Sequence, residues 1–121
     1  MRTVFAVATM VTALVCAWKN AGKAEETRAA PPERELGRRL YLWAGCGMCH
    51  GFDARGAWRG PDLTDPGLLR VRTDDDIFDV IKHGRSDTMM GYYGDELADE
   101  QIRAIVAFLR DQGDKRDASP P

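Results

Sequence analysis

Cys46-Gly47-Met48-Cys49-His50 is the stretch on which the reading of this 121-residue chain turns. Two thiols three positions apart, followed at once by a histidine, form the C-x-x-C-H pattern of covalent c-type haem attachment. Each thiol can form a thioether with one vinyl group of a single haem, and the imidazole that follows can take the proximal position on the iron. Cys46 and Cys49 are therefore the expected covalent anchors of one haem c, and His50 is the expected axial ligand.

Two other chemistries use similar residues. A redox-active C-x-x-C belongs beside alternating strands and helices, and no strand-period segment flanks this one. Structural zinc wants four ligands, and outside the motif the chain offers only His83 and Cys16. Haem satisfies the pattern better than either.

The N-terminus reads as an export signal. Arg2 precedes the uncharged, mostly apolar run 4–17, which is short for a bilayer span and the right length for a secretory core. Cleavage is expected after Ala17 or after Ala24. Two alternatives stay open: retention of residues 1–24 as a membrane anchor, and lipidation of Cys16. Either would tether the protein. Export suits the motif, because covalent haem attachment in bacteria takes place outside the cytoplasm, and a periplasmic location is expected.

Charge narrows the partners. The chain has 17 basic and 19 acidic residues, and residues 1–24 hold Arg2, Lys19 and Lys23 but no acid. Without that segment 14 bases face 19 acids, a formal charge of −5. Nucleic acid is not a fitting partner for such a surface.

Residues 25–34 are polar with Pro31-Pro32 and read as a linker; residues 114–121 read as a disordered tail. The intervening segment 35–113 is expected to be one domain, near the size at which an ordinary core is marginal and a covalent staple helps. Three helices are predicted: about 33–44, with Leu36, Leu40 and Tyr41 or Trp43 on one stripe and Gly37 interrupting; from Thr73, an N-cap paired with Asp76, to a stop at Gly84; and about 99–112, closed by Gly113. Ala98 stands where a hydroxyl cap is usual, so Asp99 is expected to cap the last helix. The fold class is all-α, with three to four short helices wrapped around one covalently bound haem.

These residues together resemble the small monohaem class I c-type cytochromes, over about 35–113. Gly37-x-x-Leu40-Tyr41 precedes the C-x-x-C-H motif, Gly60-Pro61-Asp62-Leu63 follows it, a methionine segment comes next, and Leu97-x-Asp99-Glu100-Gln101-Ile102 opens the last helix. The resemblance implies a one-electron carrier rather than an enzyme. It implies that the Pro61 carbonyl faces the second ring nitrogen of His50, and that Gly37 lets the first helix cross the last near Phe108. A methionine sixth ligand is implied too: Met90 by its spacing to Leu97, with Met89 as the alternative, and Gly91 standing where the family has proline.

Arg55, Trp58 and Arg59 are candidates to line the haem crevice or neutralise a propionate, with ordinary loop packing as the competing reading. His83, in the last turn of a helix, is the remaining candidate ligand. The expected partners are redox proteins: a dehydrogenase as donor, and a terminal oxidase or another cytochrome as acceptor. Two alternatives stand beside the free carrier. One is a dedicated acceptor or haem subunit of a dehydrogenase, such as a PQQ-dependent alcohol dehydrogenase, suggested by Gly60 to Asp65 and Met89-Met90-Gly91. The other is an open-site haem peroxidase or gas sensor.

Overall fold

The computed structural model describes residues 31–119. The expectations about export, Cys16 and most of the linker fall on residues outside that range. Five helices follow one another among the described residues: α1 (Pro31–Trp43), α2 (Gly47–His50), α3 (Pro66–Val71), α4 (Asp74–His83) and α5 (Asp99–Asp117). Among the described residues there is no strand, only an isolated antiparallel bridge between Ala57 and Gly60.

The frame is the crossing of α1 over α5. Gly37 makes it possible: a Cβ there would stand 1.9 Å from the Ala104 carbonyl oxygen and 2.9 Å from the Phe108 Cβ. With no side chain in the way, the backbones meet and Tyr41 packs its ring 5.3 Å from that of Phe108. Tyr41, Ile102, Ala104, Ile105, Val106, Phe108 and Leu109 are all buried there. Of the two candidates for the α1 stripe, Tyr41 is buried and Trp43 is 72% exposed.

Local signals set the ends of α4. The Thr73 hydroxyl accepts from the Asp76 N–H at 3.1 Å and the Asp76 carboxylate accepts from the Thr73 N–H at 2.7 Å, a reciprocal capping box. At the other end Gly84, with φ +75°, returns its N–H to the Val80 carbonyl. Phe78 and Ile81 are the buried residues of α4, in the same cluster as the α5 core.

Three boundaries differ from the sequence reading. Residues 31–34, expected in the linker, are the first turn of α1, where a proline's missing N–H leaves no bond unmade. Helix α5 does not stop at Gly113 but runs to Asp117, through four residues expected in the tail. Gly113 serves close packing instead: a Cβ there would lie 2.1 Å from the Leu69 Cδ1. Lys115, paired with Asp111 at 2.6 Å, and Arg116 suit the negative end of the helix. Finally, Ala98 and not Asp99 occupies the N-cap of α5; the Gln101 side chain accepts the Ala98 N–H at 2.9 Å, and Asp99 pairs with Lys82 at 2.8 Å.

The extended C-terminus of α5 grips the wall opposite α1. The Arg110 guanidinium bonds the Asp74 carboxylate and the carbonyls of Leu69 and Arg72, which ties α3 and the start of α4 to α5. One turn and a half further on, Arg116 bonds Asp62 and Thr64.

Candidate functional site

The motif is placed by a tight turn off the end of α1. The Cys46 N–H returns to the Tyr41 carbonyl at 3.1 Å, and Cys46 becomes the N-cap of the single-turn helix α2. Its own carbonyl accepts from Cys49 N–H at 3.2 Å and from His50 N–H at 2.9 Å. Spacings of three and four on a helical turn set Cys46, Cys49 and His50 on one face, while Met48 is left 72% exposed. The two cysteines are separate free thiols, and burial pushes the Cys46 thiol above its ordinary pKa.

His50 is buried, and its Nδ1 lies 3.0 Å from the Pro61 carbonyl oxygen. A carbonyl only accepts, so Nδ1 carries the proton and Nε2 keeps a free lone pair. The chain is shaped around this contact: a Cβ on Gly60 would lie 2.7 Å from the Cys49 carbonyl and 2.8 Å from His50 Nδ1. The Gly56 N–H bonds the His50 carbonyl at 2.7 Å. From α1, the Tyr41 hydroxyl donates to the Gly51 carbonyl at 2.7 Å; burial holds that phenol well above its usual pKa.

Cys46, Cys49, His50 and Pro61 open onto a cavity of about 480 Å³, within the ~300–1,000 Å³ typical of cofactor sites. Its apolar walls are Leu63 and Leu68 from the loop and α3, Ile77, Val80 and Ile81 from α4, and Ile105 and Leu109 from α5. The methionine segment supplies another part of the lining. The Met90 N–H bonds the Thr88 hydroxyl and the Met90 carbonyl accepts from Arg85 N–H, both at 3.1 Å. Met89 and Met90 both reach the cavity, but Met89 is 87% exposed whereas Met90 is half-buried.

Sequence profiles and structures now identify the arrangement. The family described as cytochrome c oxidase, cbb3-type, subunit III matches residues 32–109. The chain belongs to that family of c-type cytochromes. It is 39% identical over 86 residues to the cbb3-type cytochrome c oxidase subunit CcoP of Rubrivivax gelatinosus, an alignment covering 71% of this chain and 28% of that protein. The chain thus spans well under half the length of this relative. Cytochrome CL from Methylophaga aminisulfidivorans MPT superposes with a TM-score of 0.58 at 24% identity, over 77% of this chain and 69% of that one. The KustC0563 c-type cytochrome superposes with a TM-score of 0.57 at 26% identity, over 63% and 95%. The all-helical cytochrome fold expected from the sequence is the fold found.

The residues of this cytochrome fit the family's haem. A thiol pair, an imidazole with a free Nε2 and a thioether meet at one apolar cavity of cofactor size. Three cations unforeseen as a group, Arg59, Arg72 and Arg85, also line it; among the described residues none of them forms an ion pair with a carboxylate. Arg59 also stacks on Trp58, 4.2 Å from the ring centroid. The other two crevice candidates lie outside the lining: Trp58 is 84% exposed and Arg55 pairs with Asp53 at 3.7 Å. His83 is exposed in the last turn of α4 and does not line the cavity. No group of three metal-ligating side chains exists among the described residues. No described helix is long and apolar enough to cross a membrane.

Arg72 and Arg85 were missed because they flank α4 and read as ordinary terminal charges. The pairing of Asp62 with Arg116 had one local signal, an Asp-x-Thr turn, but its cation lies 54 residues away.

Proposed function

We propose that this cytochrome is a one-electron carrier of an exported redox chain, with one covalently attached haem c. The observation that carries the reading is the convergence of Cys46, Cys49, His50 and Met90 on one apolar cavity of about 480 Å³. In this reading Cys46 and Cys49 would hold the haem through thioethers, and His50 Nε2 and the Met90 sulfur would ligate its iron. A haem held so supplies a reversible one-electron ferrous–ferric couple.

The protein's own residues do the rest. Pro61 accepts the His50 Nδ1 proton, which fixes the tautomer and raises the imidazole's basicity. Arg59, Arg72 and Arg85 offer positive charge to the cofactor's carboxylates. The aliphatic walls keep water off, lowering the local dielectric and favouring the less charged state of the couple. Met90 is preferred to Met89 because its backbone is bonded on both sides and its side chain is the less exposed of the two. Electrons would pass to a terminal oxidase, directly or through another cytochrome. The likeness to an oxidase subunit supports that direction.

The open-site alternative lacks support, since His83, the one other histidine, lies away from the cavity. The test is an optical spectrum of purified holoprotein, ferric and ferrous, with carbon monoxide, on wild type and Met90→Ala. A near-infrared methionine-to-iron band that vanishes in the variant, with no carbon monoxide bound by wild type, is expected. A band that persists moves the ligand to Met89. Rapid carbon monoxide binding by wild type overturns the carrier reading.

A further inference from the structure

The segment that presents the Pro61 carbonyl is held from its far side by the last turns of α5. The Arg116 Nη1 donates to the Asp62 Oδ2 and, at 3.1 Å, to the Thr64 Oγ1. The other Asp62 oxygen accepts from the Thr64 N–H at 2.8 Å and the Thr64 hydroxyl at 2.7 Å. Thr64 is fully buried, while the Asp62 and Arg116 side chains are each partly exposed, so the knot is anchored at its inner end by Thr64. Burial alone would raise the Asp62 carboxyl, but the bonds from Thr64 and Arg116 hold it below its usual range. Between the knot and the carbonyl lies a single peptide unit. On the near side, Gly60 is packed against Cys49 and His50 with no room for a Cβ. The carbonyl is thus fixed between two anchors, one in the motif and one in α5.

We propose that Arg116 is a positioning residue for the axial histidine: through Asp62 and Thr64 it fixes the Pro61 carbonyl against His50 Nδ1–H and so sets the haem potential. The inference rests on the carrier reading above. It also gives a use to the part of α5 beyond Gly113, because only a helix continued through its fifth turn brings Arg116 over Asp62.

The sign of the effect separates this role from simple electrostatics. Loss of a positive charge favours the ferric state and lowers the potential. Loss of the clamp loosens the bond to Nδ1–H, makes the imidazole a poorer donor, and raises the potential. The experiment is redox titration of holoprotein for wild type, Arg116→Ala, Arg116→Lys and Lys115→Ala. Lys115 sits one residue away; its loss removes a nearby charge and its pair with Asp111 but leaves the Asp62–Thr64 contacts of Arg116 in place. Solvent exchange of the His50 Nδ1 proton, followed by NMR in the ferrous state, is the second readout.

Both Arg116 variants are expected to shift the couple toward ferrous by threefold to tenfold, tenfold being about 59 mV for one electron. Both should speed Nδ1 proton exchange at least several-fold, while Lys115→Ala moves the potential slightly the other way. If Arg116→Ala fails to accumulate, Arg116→Lys carries the test, since a lysine keeps the charge but its shorter side chain stops short of the place where Nη1 holds both Asp62 and Thr64. A potential that falls in Arg116→Ala as in Lys115→Ala, with exchange unchanged, overturns the role. Absence of His50 ligation in the wild-type spectrum overturns the carrier reading itself, and is seen before any variant is compared.

Discussion

Replacing Gly37 by alanine should unmake the helix crossing on which the cavity is built. Taken alone, the change favours the fold: alanine in a helix interior is better than glycine by about 1 kcal/mol. The crossing reverses that. The new Cβ would lie 1.9 Å from the Ala104 carbonyl oxygen, where real Cβ contacts essentially never come under 3.0 Å, so α1 and α5 must part by about 1 Å. The obstacle is helix backbone, which cannot swing aside as a side chain would. A gap of ~0.5–1 Å forfeits a quarter to a half of each contact's attraction, and the contacts at risk include the tilted Tyr41–Phe108 pair. Overpacking costs run to about 3 kcal/mol or more when nothing can yield. With the propensity gain set against strain and lost packing together, a net loss of about 3 kcal/mol is expected. For a domain of this size that is a fall in Tm of roughly 12–24 °C. Thermal melts of the holoprotein by circular dichroism measure it. A Gly37→Ala protein melting within about 4 °C of wild type would refute the argument.

Tyr41→Phe removes the donor to the Gly51 carbonyl without changing the packed ring, and should cost about 1 kcal/mol, read as a lower urea midpoint at constant slope. An unchanged midpoint would mean that water replaces the hydroxyl. Thr73→Ala removes the α4 cap and should likewise cost about 1 kcal/mol near neutral pH. The backbone bond from Thr73, followed by its side chain, holds the Asp76 carboxyl below its usual range. Its stabilisation is therefore complete above the unfolded carboxylate value of ~3.9 and lost as pH falls through the lower folded value. Accordingly the deficit of Asp76→Asn relative to wild type should shrink as urea melts are taken to acid pH; a deficit independent of pH would assign the effect to shape and not to charge.

What the sequence disclosed was whatever short-range chemistry dictates. The thiol and imidazole spacing, the Thr73–Asp76 box and the Gly84 stop all act within a few residues, and each lies where the pattern placed it. The helix interruption at Gly37 was legible as a close approach, and its partner came from resemblance. Gly113 misled because glycine has two uses, ending a helix and admitting a neighbour, and only the position of Leu69 decides between them. Tyr41 and Trp43 are both aromatic and two residues apart; the direction of the crossing put one in the core and the other in solvent. The cationic rim and the Arg116 knot were unreadable because each joins residues beyond the reach of any local pattern, Arg59 with Arg72 and Arg85 in one case and Asp62 with Arg116 in the other.

The same residues that make the fold also make the site, and the cavity volume shows why they cannot be separated. An apolar crevice of about 480 Å³ left to water would leave the walls that line it exposed, and the domain would lose the burial those side chains could contribute. Leu63 and Ile77 are only partly buried at the edge of the core, and in the reading proposed above their remaining contacts would come from the cofactor. Covalent attachment at Cys46 and Cys49, as proposed above, would do two things at once. It would supply the missing interior, and it would tie that interior to α2, whose position Tyr41 and Pro61 hold from two sides. A weakly held cofactor would leave the domain sampling the unfilled state; thioethers would remove that state. Folding and electron carriage are in this sense one property of the chain, set by how firmly α5 grips α1 at Gly37 and the Pro61 loop at Arg116.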